Sequence, residues 1–264
     1  MMKNRRFVNV LLSLFFGILL FAPPAGMLLY SFFARWSMDA ILPETFTLKG
    51  FAVFFKRDAK TALDSALFSA FVAFVTLLIG IPAAKGLAGI RSRFGKVMES
   101  LLILPMLLPV VTVSIGSHKL FLALGFTGSA AVFVMHLYFA LPYAFKILYS
   151  AYRALGESGT VTAKNLGATE GRAFFLVEVP MFLPAYTSAF VMGFVVSYSQ
   201  YFVNLYLGGA KGVNFSVVLS QLLTGSDRNT ASVYSLMYLL YGAFVIGFSE
   251  ILQRLLLKRR TEHG

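Results

Sequence analysis

Six stretches of this chain, at about residues 8–33, 62–88, 98–120, 129–150, 184–207 and 232–256, are each long and apolar enough to cross a bilayer. A helix needs about 20 mostly apolar residues to do so. Lipid offers no hydrogen bonds, so a spanning segment must satisfy its own backbone, and runs of this length do that as α-helices. The sequence therefore predicts an all-α integral membrane protein of about six transmembrane helices. A first span at 8–33 precedes a five-span unit at about 60–257, and residues 1–264 form one membrane domain with no soluble block of domain size. Composition agrees: 58% of the 264 residues are hydrophobic and 13% charged, against roughly a quarter charged in a soluble domain.

The net charge of +12 belongs to topology rather than to nucleic acid, because the basic residues sit at the ends of apolar runs instead of forming one soluble face. With the N-terminus in the cytoplasm, 15 of the 23 basic residues fall inside. The positive-inside bias thus favours both termini cytoplasmic in a multi-pass inner (plasma) membrane protein. The start, "MMKNRRFVNVLLSLFFGILLFAPPAG", resembles a signal peptide only in its charged beginning, and it is read as an uncleaved span.

The spans carry irregularities. Pro105 and Pro109 should kink the third, and Gly80, Ala84 and Ala88, four apart in the second, should let another helix approach closely. Outside, "GFAVFF" predicts a short aromatic helix along the interface.

Catalytic and cofactor chemistry finds little support. The absence of cysteine removes disulfides, thiolate metal sites and cysteine nucleophiles. "GIRSRFGKV" at 89–97 has five residues between its glycines where a phosphate-binding loop has four, and Val97 where that loop has Ser or Thr, so it reads as a basic turn. His118, His136 and His263 lack the spacing of a helical metal site. His136, inside the fourth span, is either an interhelical hydrogen-bonding group or a proton relay, the former being the commoner use. Few acids lie within the spans, Asp64 and Glu250 near their ends. An ion-coupled secondary transporter or a channel is the alternative reading, and it is short of parts.

The most informative stretch is "TVTAKNLGATEGRAFFLVEVP" at 160–180. Gly167 suits a helix C-terminus, while Thr169 suits the N-cap of a second helix with Glu170 in its first turn. Two short helices joined by a tight bend follow, with Ala163, Leu166 and Ala168 presenting a small apolar surface and Lys164 and Asn165 flanking it. Pro180 and Pro184 should break the entry into the fifth span. On that span Ser197, Gln200, Tyr201 and Asn204 recur at one helical face, either joining helices or lining a candidate substrate pathway.

The 160–180 segment resembles the EAA loop of ABC importer permeases of the MetI-like fold, which starts Glu-Ala-Ala, continues to a glycine and ends Ile-x-Leu-Pro. Val161, Thr162 and Ala163 occupy the start, Gly167 the glycine, and Val177, Val179 and Pro180 the end, with the Gly167 to Pro180 spacing of 13 residues that the motif requires. Val161 and Thr162 depart from it, standing at the glutamate and first alanine. "TALDSALFSA", "LPMLLPVV", "HLYFALPYAF" and "SYSQYFVNLYLGG" extend the resemblance, most closely to the thiamine, polyamine and iron permease group. The resemblance implies a permease subunit of an ABC importer, with Val161, Ala163, Leu166, Gly167, Ala168 and Pro180 in an ATPase-coupling loop. It further implies a dimer of cytoplasmic ABC ATPases, a second permease chain identical or related to this one, and an extracytoplasmic solute-binding protein. ATP and magnesium would be held by the partner ATPase, with no cofactor or metal on this chain.

Overall fold

The computed structural model describes residues 2–35, 45–90, 92–156, 158–209 and 214–261. Twelve α-helices are present among them: α1 Met2–Phe32, α2 Lys49–Arg57, α3 Ala59–Ala88, α4 Arg93–Ile103, α5 Val110–Ala123, α6 Ser129–Leu155, α7 Ser158–Asn165, α8 Glu170–Ala173, α9 Val179–Tyr198, α10 Tyr201–Leu207, α11 Phe215–Leu223 and α12 Arg228–Thr261. A short antiparallel ladder pairs β1, Phe33–Arg35, with β2, Thr45–Phe46. Five stretches are long and apolar enough to cross a membrane: Asn9–Phe32, Ala59–Ala88, Ser129–Leu155, Glu170–Tyr198 and Arg228–Lys258. The bent pair Arg93–Leu107 and Val110–Ala123 is long and apolar enough only when taken together, and as one broken span it makes a sixth.

The chain divides into two compact units, Met1–Ala62 with Val218–Leu240 and Leu63–Val217 with Tyr241–Gly264. In the first, "GFAVFF" lies in α2 as the aromatic pattern predicts. Gly50 of α2 fits against α12: a Cβ there would stand 2.8 Å from both Asn229 Oδ1 and Val233 Cγ2. One turn on, fully buried Phe54 sets its ring edge-on to Tyr234, whose hydroxyl donates to Asp58 Oδ2 at 2.6 Å. The Asn229 amide donates to the carbonyls of Tyr30 and Ser31 at 2.9 and 3.0 Å, satisfying acceptors that the end of α1 leaves free.

The second unit is organised by α6 against α9, with α3 alongside. Apolar lipid gives helices no hydrophobic reason to associate, so close van der Waals packing must hold them. Small residues make that contact here: Ala84, Ala144 and Ala189 are fully buried beside Phe145, Leu148, Tyr152, Phe182 and Tyr186. The Gly80 and Ala84 part of the predicted stripe meets α6, since a Cβ on Gly80 would lie 3.0 Å from Leu148 Cδ1. Gly193 of α9 likewise fits against Ala73 of α3. A second cluster gathers Ala131, Val132, Met135 and Phe139 of α6 with Val203 and Leu207 of α10.

Three expectations need correction. The third span is not one kinked helix: α4 ends in a 3₁₀ turn at Leu104–Leu107, Leu108 is extended, and α5 restarts after Pro109 at an angle of 97°. Two prolines four residues apart each remove a backbone donor, and a 3₁₀ turn and an extended residue absorb the loss. The fifth span starts earlier than 184, for the helix runs on from Glu170, Pro180 directly follows the π turn at Phe174–Glu178, and Pro184 is carried within α9. It also ends earlier, because the helix opens at Ser199 and Gln200 before α10 begins.

Candidate functional site

The bend between α7 and α8 is closed by a Schellman motif. The Ala168 N–H donates to the Ala163 carbonyl at 3.0 Å and the Gly167 N–H to the Lys164 carbonyl at 2.9 Å. Gly167 has φ of +89°, the left-handed region in which a Cβ is strained, and nothing lies within 4 Å of where a Cβ would be. Its requirement is therefore conformational rather than one of space. Thr169 then caps α8, its hydroxyl accepting from the Arg172 N–H at 3.4 Å. Lys164 reaches across the bend to Glu170 Oε1 at 2.7 Å. Both side chains are exposed, so water and salt screen the pair and it trims the bend rather than holding it.

This knuckle carries its apolar residues outward. Leu166, at the tip, is 83% exposed and Val161 is 49% exposed, whereas Ala163 and Ala168 are half-buried. The knuckle rests on the turn that leads into α9 and on its first residues: a Cβ on Gly159 of α7 would sit 3.4 Å from Val177 Cγ1 and 3.6 Å from Met181 Sδ. Pro180 lies between these two, in the first turn of α9. The sequence-predicted loop residues are thus brought together as one projecting element with a fixed base.

That base contains a group the sequence reading passed over. Between α8 and α9 the helix makes one π turn at Phe174–Glu178, and Glu178 is 1% exposed. Lys85, near the end of α3, donates to Glu178 Oε2 at 2.6 Å. The Tyr152 hydroxyl of α6 donates to Oε1 at 2.7 Å. Tyr152 and Tyr186 of α9 are also 2.7 Å apart, and because the single Tyr152 proton is committed to the carboxylate, Tyr186 is the donor between them. The Tyr152 ring stacks on Phe182 at 4.3 Å. A buried carboxylate in apolar surroundings is costly unless paired and hydrogen-bonded, and here both oxygens are engaged. The available signal was an acid inside "LVEVP" with a lysine at the inner end of another span. Read separately, the two looked like a loop acid and a topology charge.

The second candidate set lies at the opening between α9 and α10. Ser197, Gln200 and Asn204 are buried and Tyr201 is half-buried. Their common helical face does not survive as such, because the helix that would generate it is interrupted at Ser199 and Gln200. Ser197 Oγ instead shares a hydrogen bond with His136 Nδ1 of α6 at 2.8 Å, and the Asn204 amide donates to the Gln200 carbonyl at the break. That carbonyl also accepts the Asn204 backbone N–H at 3.3 Å, the first bond of α10. Beyond α10, a cleft of about 340 Å³ is lined by His118, Phe121, Phe126, Thr127, Tyr206 and neighbouring residues at the first-turn end of α6. Among the described residues, no three His, Asp or Glu side chains gather as a metal site.

Residues 76–262 match the family described as the binding-protein-dependent transport system inner membrane component. The molybdenum transport system permease protein ModB of Azotobacter vinelandii is 30% identical over 203 residues, which cover 71% of this chain and 88% of that protein. ModB of Mycobacterium tuberculosis is 30% identical over 185 residues, covering 64% and 70%. The spermidine/putrescine transport system permease protein PotC of Haemophilus influenzae is 24% identical over 200 residues, covering 74% and 76%. In fold, the chain is similar to the crystal structure of a bacterial ABC transporter involved in the import of the acidic polysaccharide alginate, with a TM-score of 0.65, 16% identity and 96% of each chain covered. The matched region takes in the knuckle, its buried base and all the spans from α4 onward, and the chain belongs to this family of inner membrane transport components, as a multi-pass permease subunit of an ABC importer.

Proposed function

We propose that the chain, as a single permease domain, lines a solute pathway through the inner membrane with a second permease chain, identical or related. In this reading it is driven through the α7–α8 knuckle by a dimer of cytoplasmic ATPases. ATP and magnesium are bound and ATP hydrolysed on those partners, and an extracytoplasmic binding protein delivers the solute. Both termini and the knuckle face the cytoplasm, in keeping with the 15 basic residues that this orientation places inside. The observation that carries the reading is the Schellman-closed bend presenting Leu166 on a polar surface away from the packed helices. An apolar tip on a rigid, polar element is suited to a groove on a soluble partner.

The coupling surface in this reading comprises Val161, Ala163, Leu166, Gly167 and Ala168, with Pro180 fixing its distance from the membrane helix. The opening at Ser199 and Gln200 is the part of the pathway wall best suited to meet a hydrophilic solute. The break gathers the buried polar side chains of Ser197, Gln200 and Asn204 and half-buried Tyr201 between apolar helices, where polar groups mark a candidate solute route. The relatives named for molybdenum and for spermidine/putrescine transport define the first solutes to try.

The test is affinity purification of the tagged chain from its native membranes with identification of any copurifying ATPase, followed by uptake into proteoliposomes of molybdate, spermidine, putrescine, thiamine and iron. ATPase copurification with ATP-dependent uptake of one of these supports the reading. Uptake driven by an ion gradient without ATP would replace it with a secondary transporter.

A further inference from the structure

We propose that Glu178 is a positioning residue for coupling: through Lys85, Tyr152 and Tyr186 it fastens the base of the knuckle to α3, α6 and α9, so that these helices follow the knuckle when it moves. This rests on the function proposed above.

The geometry is that of a joint. Glu178 stands where the segment bearing the knuckle enters the membrane helix, and its carboxylate receives donors from two other helices at 2.6 and 2.7 Å. A third contact returns through Tyr152 to Tyr186, two turns farther along α9. Charge-assisted bonds of this kind are short, directional and about twice as strong as neutral ones. Apolar contacts tolerate sliding, whereas a carboxylate 1% exposed cannot release its donors without being stranded. The base of the knuckle is thereby denied the small independent shifts that would dissipate a movement imposed at Leu166.

Stability alone does not account for the arrangement, because an apolar residue of similar volume beside the Phe182, Tyr152 and Leu148 cluster would hold the helices with less desolvation. The four polar groups come from three helices and a π turn, which specifies one relative placement of those elements.

The experiment uses the full complex in proteoliposomes, with a bimane fluorophore on Tyr206→Cys, the chain having no native cysteine. Tyr206 lines the cleft at the opposite end of α6 from Tyr152. ATP with orthovanadate is compared with no nucleotide. In the otherwise native chain, trapping should shift the bimane emission. In Glu178→Gln, and in Lys85→Gln, nucleotide should still be trapped to the native stoichiometry while the shift falls at least five-fold. Tyr152→Phe and Tyr186→Phe keep the ring packing and should each reduce it about two-fold or more, and they decide the matter if Glu178→Gln does not accumulate. The charge-exchanged chain Lys85→Glu/Glu178→Lys should recover part of the shift. A native-sized shift in Glu178→Gln, or unchanged shifts in both phenylalanine variants when Glu178→Gln is lost, overturns the proposal and leaves the function standing. Absence of trapped nucleotide in the native complex overturns the function, and this proposal with it.

Discussion

His136 Nδ1 lies 2.8 Å from Ser197 Oγ, and both side chains are fully buried. The bond ties α6 to α9 one turn before the helix opens at Ser199 and Gln200. Interhelical hydrogen bonds in membranes are worth about 1 kcal/mol. Ser197→Ala should therefore lower the unfolding free energy of the purified complex by about that amount, read as a fall in the SDS-unfolding midpoint, and Ser197→Thr should recover most of it.

Gly167 separates conformation from contact. Its φ is +89° and no atom approaches the Cβ position, so the penalty on substitution tracks tolerance of the left-handed region, about 1–2 kcal/mol for an ordinary residue. Gly167→Asn should retain ATPase copurification and transport, Gly167→Ala should weaken both, and Gly167→Val should abolish transport. Equal loss in the Asn and Val variants would show that the bend geometry is not the requirement.

Leu166 is 83% exposed in the isolated chain. If the ATPase buries it, removing that gain costs about 1.5–3 kcal/mol, which corresponds to about 10–100-fold in dissociation constant. Leu166→Asp should weaken ATPase binding by at least that factor in a titration with purified ATPase, while the thermal stability of the permease stays unchanged.

Asp227 begins α12. The Thr230 N–H donates to its Oδ1 at 3.1 Å and the Thr230 hydroxyl to its Oδ2 at 2.8 Å. Burial alone would raise its pKa, but these bonds and the charge of Lys49 outweigh it and hold the carboxyl below its ordinary value of 3.8. A folded-state pKa below the unfolded one stabilises the fold above the unfolded value, and that contribution is lost as pH falls through the folded one. Thermal unfolding should show this loss below about pH 4. Asp227→Asn should remove that component of the pH dependence, and Asp227→Ala should cost about 1 kcal/mol at neutral pH.

The sequence made the spans, the knuckle and its glycine legible because each follows from a local rule. Apolar length identifies a membrane helix, and a glycine followed by Thr-Glu marks a stop and a restart. The Gly80 and Ala84 stripe was readable for the same reason, as spacing along one helix. Glu178 and Lys85 were not, since they are 93 residues apart and each alone has an ordinary reading. The break at Ser199 and Gln200 was missed because nothing in "VVSYSQYFVNL" forbids helix locally, there being no glycine or proline to interrupt it. Tertiary packing selects the break over the propensity of the segment. Pro180 and Pro184 erred in the opposite direction: they are strong local signals, yet Pro180 directly follows the π turn, where the backbone bonding already shifts, and Pro184 is carried inside α9.

The π turn at Phe174–Glu178 gives the distance from Gly167 to Pro180 a meaning beyond length. One residue in a helix is worth 1.5 Å of travel but 100° of rotation. Deleting a single residue from that turn would restore ordinary α-helical bonding at almost no cost in reach. It would leave the aim of Leu166 nearly unchanged, because the wider π turn takes up its extra residue within one turn, whereas the same deletion from the α-helical turn at Glu170–Ala173 would swing the knuckle by more than a quarter of a circle about the helix axis. The thirteen-residue interval therefore acts as an angular setting in its α-helical part, where one lost position would point the apolar tip the wrong way, while the π turn stores one position without changing that aim.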